Sequence, residues 1–214
     1  MAAFRFGKNG NATFVPMDLT SLINIGPVQT TFLELFAVAF GLLSVWYMKK
    51  ESLLAFPFGI VNVLIYVYIF FSSRLFANAG INGFFFLMSV YGFYNWSRKD
   101  SNNKTIRIGQ CSKLELLLNF LALVVFFIII RFLLIRYTSS QIPTWDSLTT
   151  AIYIIAQWML SQKKIENWIL WISADTIMVV MCVWEGLYFT SFQYFVFTII
   201  ATLGFLEWRI KLMK

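Results

Sequence analysis

Tyr91-Gly92-Phe93-Tyr94-Asn95-Trp96 returns, 112 residues later, as Leu203-Gly204-Phe205-Leu206-Glu207-Trp208. At the same offset, with no gap, Trp46 meets Trp158, Phe56 meets Trp168, Leu75 meets Leu187, Phe76 meets Tyr188 and Glu34 meets Asp146. Coincidences of Leu and Phe are frequent in an apolar chain. Paired Trp and Gly positions with a matched acid are not, and the sequence reads as a duplication.

Hydropathy says what was duplicated. Of 214 residues, 59% are hydrophobic and 13% charged, against about 45–50% and about 25% in a soluble domain. One soluble core cannot hide that excess, so a bilayer is the expected solvent. Seven apolar segments approach the ~20 residues that cross a ~30 Å hydrocarbon layer. They are Thr30–Met48, Leu53–Phe71, Leu75–Trp96, Leu114–Tyr137, Trp145–Ser161, Asn167–Trp184 and Leu187–Trp208. Lys49-Lys50-Glu51-Ser52, Ser72-Ser73-Arg74, Gln162–Glu166 and Glu185-Gly186 read as hairpin turns. Ser97–Lys113 reads as a solvent-exposed linker.

The offset groups these spans. Residues 29–97 form one triple-helix unit, 145–214 the other with a tail, and 98–144 a cytoplasmic loop with a linker helix; residues 1–28 form an extracytoplasmic segment. Three crossings followed by one return the second unit in the orientation of the first. The predicted fold class is an all-α integral membrane protein with a 3+1+3 arrangement of parallel repeats. In that transporter plan the solute binds near mid-membrane, between the repeats.

The net charge of +7 lies between apolar runs and makes no patch suited to nucleic acid. Lys49, Lys50, Arg98, Lys99, Lys104, Arg107, Lys113, Lys163, Lys164, Arg209, Lys211 and Lys214 fall on one side; Arg5, Lys8, Arg74 and Arg136 fall on the other. The crowded side is expected to be cytoplasmic, with the N-terminus outside and the C-terminus inside. The expected location is the cytoplasmic (inner) membrane of a bacterium. Trp46, Trp96 and Trp208 mark the inner interface, and Trp145 and Trp184 the outer. Two Cys and no His remove His-based acid–base chemistry and leave too few ligands for a zinc site. No metal or cofactor is expected.

Polar side chains at membrane depth cost roughly 2.5–3.5 kcal/mol for a central Asp, which makes their positions informative. Asp175 is central in its span, with Trp171 and Trp168 four and seven residues before it. Asn78 and Asn82 lie four apart; Thr190, Tyr194 and Thr198 form one helical stripe, and Thr190 and Tyr194 match Asn78 and Asn82 at the repeat offset. Asn62 and Gln157 are mid-span. These ten residues are the candidate solute-binding set. Amides and hydroxyls also join helices by hydrogen bonds, and Asp175 has a competing use in an ion pair with Arg131. Taken together, an anion, indole rings and amides suit a flat aromatic solute with hydroxyls and a positive charge.

Asp146-Ser-Leu-Thr-Thr150, Ala156-Gln157, Glu166-Asn167-Trp168, Trp171, Asp175, Gly186-Leu187, Tyr194, Gly204 and Trp208 resemble the PnuC family of vitamin transporters. Pro57-x-Gly59, Leu75-x-Ala77, Tyr91-Gly92 and Trp96 carry the likeness in the first half. The family is similar in fold to SWEET sugar transporters. The resemblance implies uptake of nicotinamide riboside by facilitated diffusion through alternating access, trapping by a cytoplasmic kinase, and a homotrimer. The family often has Trp where this chain has Phe56, and Asp and Gln where it has Asn78 and Asn82. Thiamine, also a flat cation, is the alternative solute. An intramembrane enzyme would need a catalytic His, a Ser–Lys pair or facing acids, of which only Asp175 and Glu34 lie at plausible depth. A structural subunit is the remaining class, and the short loops give it little partner surface.

Overall fold

The computed structural model describes residues 2–6, 12–16, 22–25, 28–72, 76–99, 105–137 and 142–213. Lys8, Arg74, Lys104, Lys214 and the centre of the expected linker lie outside them. The described residues contain seven helices: α1 Phe32–Lys49, α2 Ala55–Ser72, α3 Phe76–Ser97, α4 Lys113–Tyr137, α5 Pro143–Ser161, α6 Asn167–Trp184 and α7 Tyr188–Leu212. Two antiparallel hairpins precede them, β1 Ala2–Phe6 with β2 Ala12–Pro16, and β3 Leu22–Ile25 with β4 Val28–Thr31. After these two short hairpins every named element is a helix, as the expected all-α fold class requires. Alternating runs such as Ala3-Phe4-Arg5-Phe6 and Thr13-Phe14-Val15 favour extended backbone over a helix.

Local chemistry sets the helix ends. The Thr31 side-chain oxygen accepts the Glu34 N–H at 3.1 Å and caps α1, while Glu34 puts a negative charge in the first turn. Pro143 opens α5, where its missing N–H costs nothing. Gly186, at φ 74, closes α6 in a conformation that glycine adopts freely.

By length and composition, α1, α2, α4 and α6 are each apolar enough to cross a membrane. The other three fall short of the uniform apolarity that seven independent spans would have. Asn78, Asn82 and Asn95 dilute α3, Asp146 and Gln157 dilute α5, and Gln193 and Glu207 dilute α7. Helices that face a polar interior can carry such residues; helices surrounded by lipid cannot. α4 is the opposite case, for none of its residues is buried and its main contact is along α5.

The other six helices close on themselves. α2 packs between α1 and α3, α6 packs between α5 and α7, and the groups meet where α1 touches α7 and α3 touches α5. Details recur at the offset of 112. Glu51 (φ 58) and Lys163 (φ 60) are the non-glycine residues with positive φ among the described residues. A Cβ on Gly92 would meet Phe56 Cε1 at 2.5 Å, and one on Gly204 would meet Trp168 Cη2 at 2.8 Å. Each glycine lets a ring lie against helix backbone.

The second half of the expected linker is docked rather than free. Gly109 N–H donates to the Lys163 carbonyl at 3.1 Å, and Ile165 N–H donates to the Gly109 carbonyl at 2.9 Å. Cys111 N–H donates to Glu166 Oε1 at 2.9 Å, and Ile108 packs on the buried core. The polar composition of this stretch conceals a backbone that pairs with the α5–α6 turn.

Candidate functional site

A cavity of about 460 Å³ lies among α1, α2, α3, α5, α6 and α7, and α4 contributes nothing to its wall. Small-molecule sites typically measure roughly 300–1,000 Å³. Gly41 and Gly59 bring α1 and α2 close beside it, since a Cβ on Gly59 would stand 2.8 Å from Ser44 Oγ.

Eight of the ten candidate residues line this cavity: Asn62, Asn82, Gln157, Trp168, Trp171, Asp175, Thr190 and Tyr194. Asn78 is exposed, and Thr198 donates its hydroxyl to the Tyr194 carbonyl at 2.9 Å; neither is part of the wall. The Asn62 amide N–H is committed to the Ala37 carbonyl at 2.7 Å, so it joins α2 to α1 as well as facing the cavity. Asn82 donates to the Asn78 carbonyl of its own helix at 2.9 Å.

Asp175 is buried and accepts a hydrogen bond from the Tyr153 hydroxyl at 2.8 Å. Arg131 does not pair with it: its Nε donates to Thr144 Oγ1 at 3.2 Å, on the exposed side of α4. Tyr153 packs on Trp171 with ring centroids 5.1 Å apart. Tyr153, Tyr66 and Gln193 also line the cavity, and the sequence reading passed over them. A signal was available, since Tyr153 precedes Gln157 by four residues and Tyr66 follows Asn62 by four, one helical turn along the same stripe. Glu34 and Asp175 are the acids of the wall, and the described lining residues include no Lys or Arg. The described residues hold no group of His, Cys, Asp and Glu able to bind a metal ion.

Aromatic rings close the end of the cavity that carries the lysines. Phe56 meets Trp96 edge-on at 5.1 Å, Trp96 meets Trp208 at 5.8 Å, and Trp168 meets Trp208 edge-on at 5.4 Å. Trp96 Nε1–H donates to the Leu160 carbonyl at 3.2 Å, and Trp208 Nε1–H donates to the Lys49 carbonyl at 3.0 Å. Each indole of one triple-helix group thus holds the end of a helix in the other. Outside the rings, Glu51 pairs with Lys163 and Lys211, both at 2.9 Å, and Glu207 pairs with Lys49 at 3.8 Å.

Apolar helices with a polar chamber among them, sealed at one end, define a multi-pass membrane protein built to hold a small solute. The chain belongs to the nicotinamide mononucleotide transporter family, whose model matches residues 31–210. It is 28% identical over 225 residues to the nicotinamide riboside transporter PnuC of Escherichia coli, covering 90% of this chain and 94% of that protein. The transporter of the same name from Neisseria mucosa is 22% identical over 191 residues, covering 83% and 72%. A crystal structure of the vitamin B3 transporter PnuC superposes with a TM-score of 0.67 at 21% identity, covering 83% of this chain and 80% of that one, and shows the same fold. The family places the chain among transporters rather than enzymes.

Proposed function

We propose that this protein carries nicotinamide riboside across the bacterial inner membrane by facilitated diffusion, with a cytoplasmic kinase trapping the product. The observation that carries this reading is the charge of the cavity wall: Glu34 and Asp175 beside Trp168 and Trp171, with no Lys or Arg among the described lining residues. Nicotinamide riboside is a pyridinium cation with an uncharged sugar. Its charge suits the two acids and the indole faces, and its hydroxyls suit Gln157, Thr190 and Tyr194. The mononucleotide in the family's name adds a phosphate, which such a wall would leave without a counter-charge. The relatives are named for the riboside. The eight lining residues of the candidate set form the proposed binding site; Asn78 and Thr198 are set aside on their placement.

Transport is by alternating access between two parallel triple-helix units, α1–α3 and α5–α7, with α4 as the linking span. Recurrence of the φ 58 and φ 60 turns and of the ring-on-glycine contacts at one offset supports this arrangement. Clustering of Lys49, Lys163 and Lys211 in one ion-pair network supports a cytoplasmic C-terminus. The closed aromatic end is then the inner gate. Assembly as a homotrimer, which the family resemblance implies, belongs to the same proposal. Uptake of radiolabelled nicotinamide riboside into proteoliposomes without an ion gradient tests the reading. Saturable flux, inhibited by excess unlabelled riboside and not by the mononucleotide or thiamine, is expected; absence of flux sinks it.

A further inference from the structure

We infer that Tyr153 is a positioning residue for solute recognition, fixing both the Asp175 carboxylate and the Trp171 ring in the cavity. The inference rests on the cavity being the solute site. Its geometry joins two helices: Tyr153 comes from the middle of α5, and Trp171 and Asp175 come from α6. The Tyr153 hydroxyl donates to Asp175 Oδ1 at 2.8 Å, while its ring lies 5.1 Å from that of Trp171 at 40°. All three side chains line the cavity.

Asp175 is 3% exposed, and a buried carboxylate needs donors. Lys or Arg would supply them but cancel the charge. A phenol supplies one donor, keeps the charge and blocks rotation of the carboxylate about its last bond. Among the described residues Oδ2 accepts no hydrogen bond, and it is not sealed from the cavity. One oxygen is thus held by the protein and the other is left for a cation. The same phenol ring sets the tilt of Trp171, whose face attracts positive charge. Tyr153 therefore acts through its two neighbours, and its effect falls on the ligand's charge more than on its shape.

Titration calorimetry of the purified full chain tests this with two ligands, nicotinamide riboside and its neutral dihydro form. Tyr153→Phe keeps the ring against Trp171 and removes only the hydroxyl. It is expected to weaken the cation by about tenfold and the neutral ligand by less than about twofold. In an Asp175→Asn background the same substitution should cost the cation nothing further, because the partner is gone. Equal losses for both ligands, additive losses in the double variant, or an unchanged cation affinity overturn the inference. Wild-type protein that binds neither ligand overturns the solute-site reading along with it. If Tyr153→Phe does not fold, Asp175→Asn alone still decides, since an unchanged preference for the cation leaves Tyr153 nothing to position.

Discussion

Glu51 and Lys163 stand 112 residues apart, both in left-handed backbone, and their side chains meet at 2.9 Å. Each ends the turn after a helix that lines the cavity, α1 for Glu51 and α5 for Lys163. Positions at that offset carry opposite charges and join. Lys163 is buried; it also donates to the Ile106 carbonyl at 3.0 Å and sits 4.7 Å from the Trp96 ring. Left-handed backbone at a non-glycine residue costs on the order of 1–3 kcal/mol, which these contacts offset at both positions. The pair ties the two halves together directly outside the aromatic closure.

Glu51→Gln should therefore loosen the lysine-rich end. Ser44 lines the cavity, and a Ser44→Cys reporter in a background lacking Cys111 and Cys182 reads access from that side with a membrane-impermeant thiol reagent. Loss of a charged hydrogen bond predicts labelling faster by roughly ten- to a hundredfold. Labelling at the parental rate would mean that the pair does not hold the closure.

Acid should act on the same carboxyl. Burial alone would raise the Glu51 pKa, but hydrogen bonds and charge from Lys211 and Lys163 outweigh it and hold the group below its ordinary 4.5. A carboxyl depressed in the folded state contributes stability above its unfolded pKa, and that contribution is lost as pH falls through the folded value. Thermal unfolding of the wild type should change little on this account from neutral pH to about pH 5 and then decline. Glu51→Gln should start lower and lose less over the acid range; parallel curves for the two proteins would count against the assignment.

The linker's thiol gives an independent check on its docking. Burial first, and the Glu166 carboxylate second, push the Cys111 thiol from 9.0 up to about 12. A raised pKa removes thiolate, the reactive form. At pH 8 alkylation of Cys111 should run at least about a hundredfold slower than that of an unperturbed thiol, rising about tenfold per pH unit. Glu166→Gln should speed it; a rate like that of a free peptide thiol would show this stretch to be undocked.

Much of the fold was legible because lipid leaves a coarse signature. Apolar length gives α1, α2, α4 and α6 outright, and α3, α5 and α7 follow from apolar runs that polar residues interrupt. The cavity was legible where a polar residue is costly at depth, as at Asp175, Asn62 and Gln157. It was fainter at Tyr153 and Tyr66, because a phenol suits both lipid-facing and chamber-facing positions, and only their place one turn from Gln157 and Asn62 marks them. Asn78 and Thr198 show the converse: they share the stripes without being part of the wall. A helical stripe names a face only to within a residue or two, and both lie just outside the wall. The docking of 105–112 is carried by backbone hydrogen bonds, to which side-chain composition is blind.

The ring-on-glycine contact at the closed end gives the sharpest packing test. Trp168 is fully buried, and a Cβ on Gly204 would lie 2.8 Å from its Cη2 and Cζ2 atoms and 2.9 Å from Cε2. The indole has little room to retreat, because it is 1% exposed and Trp208, one turn further along α7, meets it edge-on at 5.4 Å. Gly204→Ala should therefore destabilise by about 1–3 kcal/mol despite the better helix propensity of Ala. Trp168→Phe vacates the outer ring atoms and leaves a void of its own. Combined, the two substitutions should cost less than their sum, since the added methyl fills part of that void. Denaturation in detergent measures the cycle. Strict additivity would mean that Gly204 and Trp168 do not share the contact, and a stabilised Gly204→Ala would mean that the two helices have room to part.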